Sequence, residues 1–195
     1  MTTKHANLSV LRMDRQRLMM HTIIRDAQIN TEDFCFYSDR LIRQVIEFCL
    51  ALLPVESMDV TSPTGGTFHG CRGTQKLVGM SVIRSGECME RALRSIVRAC
   101  RVGKLLIEKK EGKPHELLFC KVPEDLTDRR ILLLDPMVAS GNTAVSAVEA
   151  CIESGAKEEN ITFVNLLAYS GGRHHLSISN PNPDPDPNPD PDLRH

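Results

Sequence analysis

Between Thr31 and Leu52, the apolar residues Phe34, Tyr37, Leu41, Val45, Phe48, Cys49 and Leu52 recur every three or four positions with charges between them. That spacing predicts a long amphipathic helix, with Thr31 as its N-cap and Pro54 as its stop. The thirty residues before it are polar, carry a basic cluster from Arg12 to Arg17 and show only weak periodicity, which predicts an arm or a partly helical lead-in. Residues 61–75 are rich in Gly, Thr and Ser, a composition of turns and a short hairpin.

Beyond this point the pattern alternates between strand and helix. Leu77 to Ile83 reads as a strand, Glu87 to Ala99 as a helix and Lys104 to Glu108 as a strand. The chain then turns through KKEGKP into a strand from His115 to Val122. Ile131 to Leu134 is short, wholly apolar and flanked by charge, as expected of a strand buried on both faces. Asn142 to Ser154 follows as a helix ended by Gly155, and Ile161 to Ala168 as a further strand. Strand, helix and strand joined by short links make βαβ units. With right-handed crossovers these build a parallel sheet, so the expected class is α/β. The final stretch, NPNPDPDPNPDPDLRH, has proline at nearly every second position, which removes backbone donors and predicts an extended, disordered tail. The expected organisation is an N-terminal arm over 1–20, one domain over 21–170 and a Pro/Asp-rich tail over 171–195.

Composition narrows the class without changing it. A chain of 195 residues suits one domain. A formal net charge of −1 offers neither a nucleic-acid footprint nor a polybasic membrane surface. Seven cysteines occur without a CxxC pair or a paired spacing with histidine, which argues against zinc and against a disulfide framework. Most lie in apolar stretches and are expected as small buried filler. No basic-then-apolar leader and no long apolar run is present, so the expectation is a soluble, cytoplasmic protein.

The chemistry is concentrated in ILLLDPMVASGNTAVSAVEACIESGA, residues 131–156. Ligands of an open parallel sheet sit outside the carboxyl ends of its strands, which is where Asp135 falls. Small residues at Ala139, Ser140 and Gly141 let the backbone approach an anion. The amides from Ser140 to Thr143, at the positive end of the next helix, are suited to phosphate oxygens, together with the Ser140 and Thr143 hydroxyls. Asp135 would repel a phosphate but suits the hydroxyls of a ribose diol. Loop and carboxylate together point to a phosphoribosyl group. The simpler reading, a polar-capped helix start, remains open at this level. Neither a GxxxxGK[ST] loop nor a GxGxxG after a strand is present, so a P-loop kinase and a dinucleotide fold are unsupported.

LLLDPMVASGNTAVSAVEACIESG resembles the phosphoribosyl-pyrophosphate loop of the type I phosphoribosyltransferases, specifically the uracil phosphoribosyltransferase branch, which has Asp-Pro where most members carry two acids. MMHTIIRD, FYSDRLIRQVIEFCLALLP, GMSVIRSGECMERALR, RVGKLLIEKKEG and NITFVNLLA agree, so the resemblance runs from Met20 to Ala168. It implies a parallel-sheet phosphoribosyltransferase fold with flanking helices and a β-hairpin arm. It also implies conversion of uracil and phosphoribosyl pyrophosphate to UMP and pyrophosphate. Arg84 matches an arginine that contacts the donor's pyrophosphate, while Lys109 stands where bacterial relatives have a second arginine and Lys110 is an alternative. Asp135, Pro136, Met137, Val138, Ala139, Ser140, Gly141, Asn142 and Thr143 match the donor loop, with Asp135 as its catalytic residue. Ser140 replaces the family's usual Thr and keeps the hydroxyl. Asn142 stands where Gly is frequent and needs a backbone Asn accepts. Mg²⁺ carried on the pyrophosphate, GTP as an activator and a homo-dimer or tetramer are further implications.

Plainer structural roles stand beside these assignments. Arg84 and Glu87 can form a surface pair, Lys109 to Lys113 a solvated turn, and Glu87, Glu90 and Arg94 intrahelical pairs. The match fades at LAYSGG, and RHHLSISN onward has no counterpart to the family's glycine-rich uracil-binding segment. Three forms fit that pattern: an active transferase, a non-catalytic donor-binding member, or an isoform altered at its C-terminus.

Overall fold

The computed structural model describes residues 7–108, 116–123 and 125–168. Lys109 and the Pro/Asp-rich tail lie outside the described residues. Helix α1 (Arg15–Ile23) starts at Asp14, whose side chain accepts from the Arg17 amide. It packs on α2 (Thr31–Ala51) through Met20, Ile24 and Leu41. The α2 cap is Asn30, not Thr31: the Asn30 side chain accepts from the Asp33 amide, and Thr31 is the first helical residue. Its buried stripe is Leu41, Ile42, Ile46 and Cys49, while Phe34 and Leu52 remain exposed. The stripe is rotated from the predicted one because α2 covers the sheet and a later helix, α3 (Glu87–Ile96), as well as α1.

β1 (Val55–Thr61) and β2 (Thr67–Gly73) form an antiparallel hairpin, longer than the glycine-rich stretch alone predicted. Opposed residues on it also meet through their side chains, Asp59 with His69 and Glu56 with Arg72. It forms its own two-stranded sheet, and Val55, Met58, Val60 and Phe68 are exposed on it.

The central sheet has the order β5-β4-β3-β6-β8, from β3 (Lys76–Ile83), β4 (Arg101–Glu108), β5 (Glu116–Lys121), β6 (Arg129–Leu134) and β8 (Ile161–Val164). β3, β4, β6 and β8 run parallel, whereas β5 returns antiparallel beside β4. Alternation along β6 sorts the core. Ile131 and Leu133 face Ala147, Ala150 and Cys151 of α4 (Asn142–Glu153). Leu132 and Leu134 face Ile42, Ile46 and Cys49 of α2 and Met89, Ala92 and Leu93 of α3 (Glu87–Ile96). A strand between two helical layers needs apolar residues at every position, which explains the unbroken ILLL run. The α3 helix ends at Ile96, before the predicted Ala99, which takes a positive φ of 56°.

The predicted strand over 161–168 is divided. After β8 the Leu166 and Leu167 amides donate to the Pro136 carbonyl, and β9 (Leu167–Ala168) pairs in parallel with β7 (Met137–Val138). The α4 helix closes as predicted at Gly155, which adopts φ 95°. Among the described residues no helix is long and apolar enough to cross a membrane.

All seven cysteines are free. Cys49, Cys100 and Cys151 are buried filler, but Cys35, Cys71 and Cys88 are exposed, contrary to the expectation for most of them. Cys35 and Cys71 lie on the outer part of α2 and on the projecting hairpin, which no other layer covers.

Candidate functional site

The sheet order reverses between β3 and β6, since the chain steps outward from β3 to β4 and β5 and then returns to the other side of β3. Crevices for ligands open at such points. Leu134, the last residue of β6, pairs with Ser81, two residues before β3 ends at Ile83, and the Ser85 hydrogen bond to Asp135 joins the loops that follow them. Arg84 leads one loop and Asp135 the other, although 50 residues of sequence separate Asp135 from its partner Ser85.

Gly86 sets how closely the loops approach. A Cβ on it would drive into the Leu134 carbonyl oxygen and stand 2.8 Å from the Val82 nitrogen. The Gly86 amide donates to the Val82 carbonyl at 2.7 Å, which holds the loop down on β3. From there the Ser85 hydroxyl donates to Asp135 Oδ1 at 2.8 Å, and Cys88 Sγ donates to the Ser85 carbonyl at 3.1 Å. Asp135 is only 6% exposed, and its own amide donates to the Val164 carbonyl. A carboxylate this deep needs hydrogen-bond donors, and Ser85 is one of them. Burial of its sulfur pushes the Cys88 thiol up, and the negative charges of Asp135 and Asp39 push in the same direction.

The Arg84 side chain is exposed and makes no ion pair among the described residues. The anticipated partner Glu87 is instead held by Lys104 at 2.7 Å, across from α3 to β4. The Glu87 hydrogen bond raises the Lys104 ammonium above its ordinary value. Glu90 and Arg94 form the expected intrahelical pair at 3.0 Å. Arg84 is thus left as an uncommitted cation at the crevice.

On the other wall, the loop after Asp135 has two parts. Pro136 supplies the carbonyl that Leu166 and Leu167 use, and Met137 and Val138 are taken into the β7–β9 pairing. Ala139 to Thr143 form the part that turns into α4. Gly141 takes φ 85° as the residue before the helix, a conformation that favours glycine. Asn142 is therefore an ordinary first helical residue with negative φ, and the left-handed role belongs to Gly141. The Ser140 hydroxyl accepts from the Asn142 amide at 3.5 Å, a loose contact.

The N-cap of α4 is Gly141, which has no side chain to cap with, and the first turn carries no acid. By contrast, Glu32 and Asp33 occupy the first turn of α2, and Glu87 and Glu90 that of α3. Of these three helices α4 is the one whose positive end is left for an external anion. The ends of β3 and β6 therefore bring together a buried carboxylate, a loop led by an exposed arginine and a helix start that follows a glycine N-cap. Sequence reasoning named Arg84, Lys109 and the loop 135–143 as donor-site residues, and did not name Ser85 or Gly86. The Ser-Gly pair following a strand and preceding a helix was the available signal.

Comparison with known proteins agrees with this geometry. Residues 13–183 match the family profile described as uracil phosphoribosyltransferase, a longer span than the resembling segments from Met20 to Ala168. The chain is 44% identical over 167 residues to the uracil phosphoribosyltransferase of Dictyostelium discoideum, covering 85% of this chain and 77% of that protein. The Saccharomyces cerevisiae uracil phosphoribosyltransferase is 41% identical over 167 residues, again with 85% and 77% covered. The chain is also 44% identical over 168 residues to the uridine kinase-like protein 3 of Arabidopsis thaliana, covering 86% of this chain but 36% of that protein. Among solved structures, the AQ2163 protein from Aquifex aeolicus superposes with a TM-score of 0.69 at 18% identity, covering 84% of this chain and 77% of that one. A purine phosphoribosyltransferase from Pyrococcus horikoshii gives a TM-score of 0.51 at 16% identity, covering 70% and 76%. The two structures speak for the phosphoribosyltransferase fold, and the profile and the sequence identities speak for the branch. The chain belongs to the uracil phosphoribosyltransferase family.

Proposed function

We propose that this chain transfers the phosphoribosyl group of phosphoribosyl pyrophosphate to N1 of uracil, giving UMP and pyrophosphate in pyrimidine salvage. The observation that carries the reading is the buried Asp135 carboxylate, held by Ser85 at the tip of β6 and followed by the acid-free start of α4. A phosphate on the amides and hydroxyls of Ala139 to Thr143 would lie beside a carboxylate that accepts from the ribose hydroxyls. Arg84, uncommitted at the end of β3, would reach the pyrophosphate, and its guanidinium suits an anion with several acceptor oxygens. Lys109, outside the described residues, keeps its role as a second cation in this reading.

As the C1′–O bond to pyrophosphate breaks, positive charge grows on the ribose ring and negative charge on the leaving oxygens. The chain's part is to fix the ribose through Asp135, to neutralise the leaving group through Arg84, and to hold the 5′-phosphate so that uracil N1 meets C1′ in line. Among the described residues no cluster of three or more His, Cys, Asp or Glu side chains is placed to hold a metal. In this reading Mg²⁺ would come with the substrate's pyrophosphate and would add to the neutralisation of the leaving group, with Asp135 as the carboxylate of this crevice.

The reading extends to a cytoplasmic homo-oligomer that responds to GTP. The exposed hairpin supports the oligomer. A two-stranded ribbon with Val55, Met58, Val60 and Phe68 in water has little stability of its own and gains from contact with a second subunit. Light scattering tests the assembly, and GTP titration of the rate tests the activation.

The test of the central reading is UMP formation from uracil, phosphoribosyl pyrophosphate and Mg²⁺ by the wild type beside Asp135→Asn. The expected loss is about 100-fold. Equal rates for the two proteins would refute the assignment of Asp135. No turnover, with the donor still raising the melting temperature, would instead identify a donor-binding family member.

A further inference from the structure

Ser85 lies one residue before Gly86, the N-cap of α3, so its hydroxyl has no cap of its own to make. Here α3 begins without any side-chain cap, and the Ser85 hydroxyl reaches away from its own helix to Asp135 Oδ1 at 2.8 Å. The backbone beneath it is held on three sides. Cys88 Sγ donates to the Ser85 carbonyl, the Gly86 amide donates to Val82, and Gly86 lies against the Leu134 carbonyl with no room for a side chain. A hydroxyl placed by so fixed a segment restricts the rotation of the carboxylate that accepts from it. A hydroxyl on a backbone fixed in this way, donating to a buried carboxylate 50 positions away, is the arrangement by which a site is preorganised.

We propose that Ser85 is a positioning residue for the donor: it sets the Asp135 carboxylate for the ribose hydroxyls and ties that carboxylate to the Arg84 loop. The proposal rests on the reading of this crevice as the phosphoribosyl-pyrophosphate site and adds to it a residue acting only through Asp135. Because Arg84 and Ser85 are adjacent, an arginine drawn toward pyrophosphate and a carboxylate engaged by ribose share one loop. Donor recognition at the two ends of the molecule is thereby mechanically linked.

A double-mutant cycle tests it, with Ser85→Ala, Asp135→Asn and the double variant compared with the wild type. The readouts are the dissociation constant for phosphoribosyl pyrophosphate by calorimetry, kcat/KM for each substrate, and the melting temperature. Ser85→Ala is expected to weaken donor binding and kcat/KM for the donor about tenfold, the scale of one hydrogen bond to a charged group. The KM for uracil should stay within about twofold, and Ser85→Thr, which keeps the hydroxyl, should recover donor affinity to within about threefold. In the Asp135→Asn background Ser85→Ala should change nothing further. A tenfold loss in both backgrounds would show that Ser85 acts independently of Asp135 and overturn the proposal. So would unchanged donor affinity, or a loss that Ser85→Thr does not recover. If Asp135→Asn alone leaves donor affinity and rate intact, the donor-site reading fails and the Ser85 proposal falls with it. That outcome is distinct from a silent Ser85→Ala beside an impaired Asp135→Asn.

Discussion

Replacing Gly86 with alanine sets two effects against each other, and the structure decides between them. Gly86 has φ −66° and ψ −15°, a conformation alanine adopts readily. On backbone grounds alone the change would stabilise by up to about 1 kcal/mol, by narrowing the unfolded ensemble. The space is the obstacle. The new methyl would meet the Leu134 carbonyl oxygen, the Val82 nitrogen at 2.8 Å and the Ser81 hydroxyl at 2.9 Å. The first two are backbone atoms of paired strands, so they cannot yield without opening the β3–β6 ladder. The loop must lift instead, which stretches the Gly86–Val82 hydrogen bond and the Ser85–Asp135 bond. Overpacking costs about 1–3 kcal/mol and loss of the bond to the carboxylate about 1.5 kcal/mol. The net expectation is a loss of about 2–3 kcal/mol, or about 5–10 °C in melting temperature for a chain of this size. Gly73→Ala is the control, since nothing lies within 4 Å of its added Cβ, and it should move stability by less than about 0.5 kcal/mol. The assay is thermal unfolding followed by circular dichroism, with donor affinity measured alongside. A Gly86→Ala protein melting within about 2 °C of the wild type would refute the packing argument.

Other outcomes follow from the same contacts. The Ser81 hydroxyl is fully buried and has no hydrogen-bond partner among the described residues, so Ser81→Ala should leave stability unchanged or raise it slightly, and a loss above about 1 kcal/mol in urea unfolding would contradict this. Leu133→Ala removes a fully buried side chain between β6 and α4 and should cost about 2–5 kcal/mol, read by the same unfolding curves. Burial pushes the Cys49 and Cys151 thiols up to about 12, from 9.0. Between those values the folded chain keeps protons that the unfolded chain has released. Stability from these groups is therefore full below pH 9 and falls as pH rises, by up to about 1.4 kcal/mol per pH unit per cysteine. Urea unfolding at pH 8, 9 and 10 should show that fall, and Cys49→Ala should reduce its slope. A thiol reagent at pH 8 should modify exposed Cys35 and Cys71 quickly and reach Cys49 and Cys151 only on unfolding.

The sequence alone determined whatever depends on near neighbours. The ILLL run announced a strand buried on both faces, because only a strand between two helical layers can spend every position on apolar contact. Thr31 to Ala51 announced a helix through spacing, and Ser140-Gly141-Asn142 announced a helix start able to receive an anion. Asp135 at the tip of β6 was legible because the rule placing ligands at strand ends needs only the strand's direction. Tertiary structure decided what depends on residues distant in the chain. Ser85 acquires its meaning from Asp135, 50 positions away, and the register of β3 against β6 creates that meeting. Gly86 must be glycine because of the Leu134 carbonyl, which no local pattern names. Val164 and Leu167 belong to different sheets because Pro136 turns its carbonyl toward the chain between them. The burial of Cys49 and the exposure of Cys35 were equally unreadable, since both sit in the same helix and only the layers packed against it distinguish their faces. Hydrophobic spacing reports which residues leave water, whereas strand register and close packing fix which of them meet.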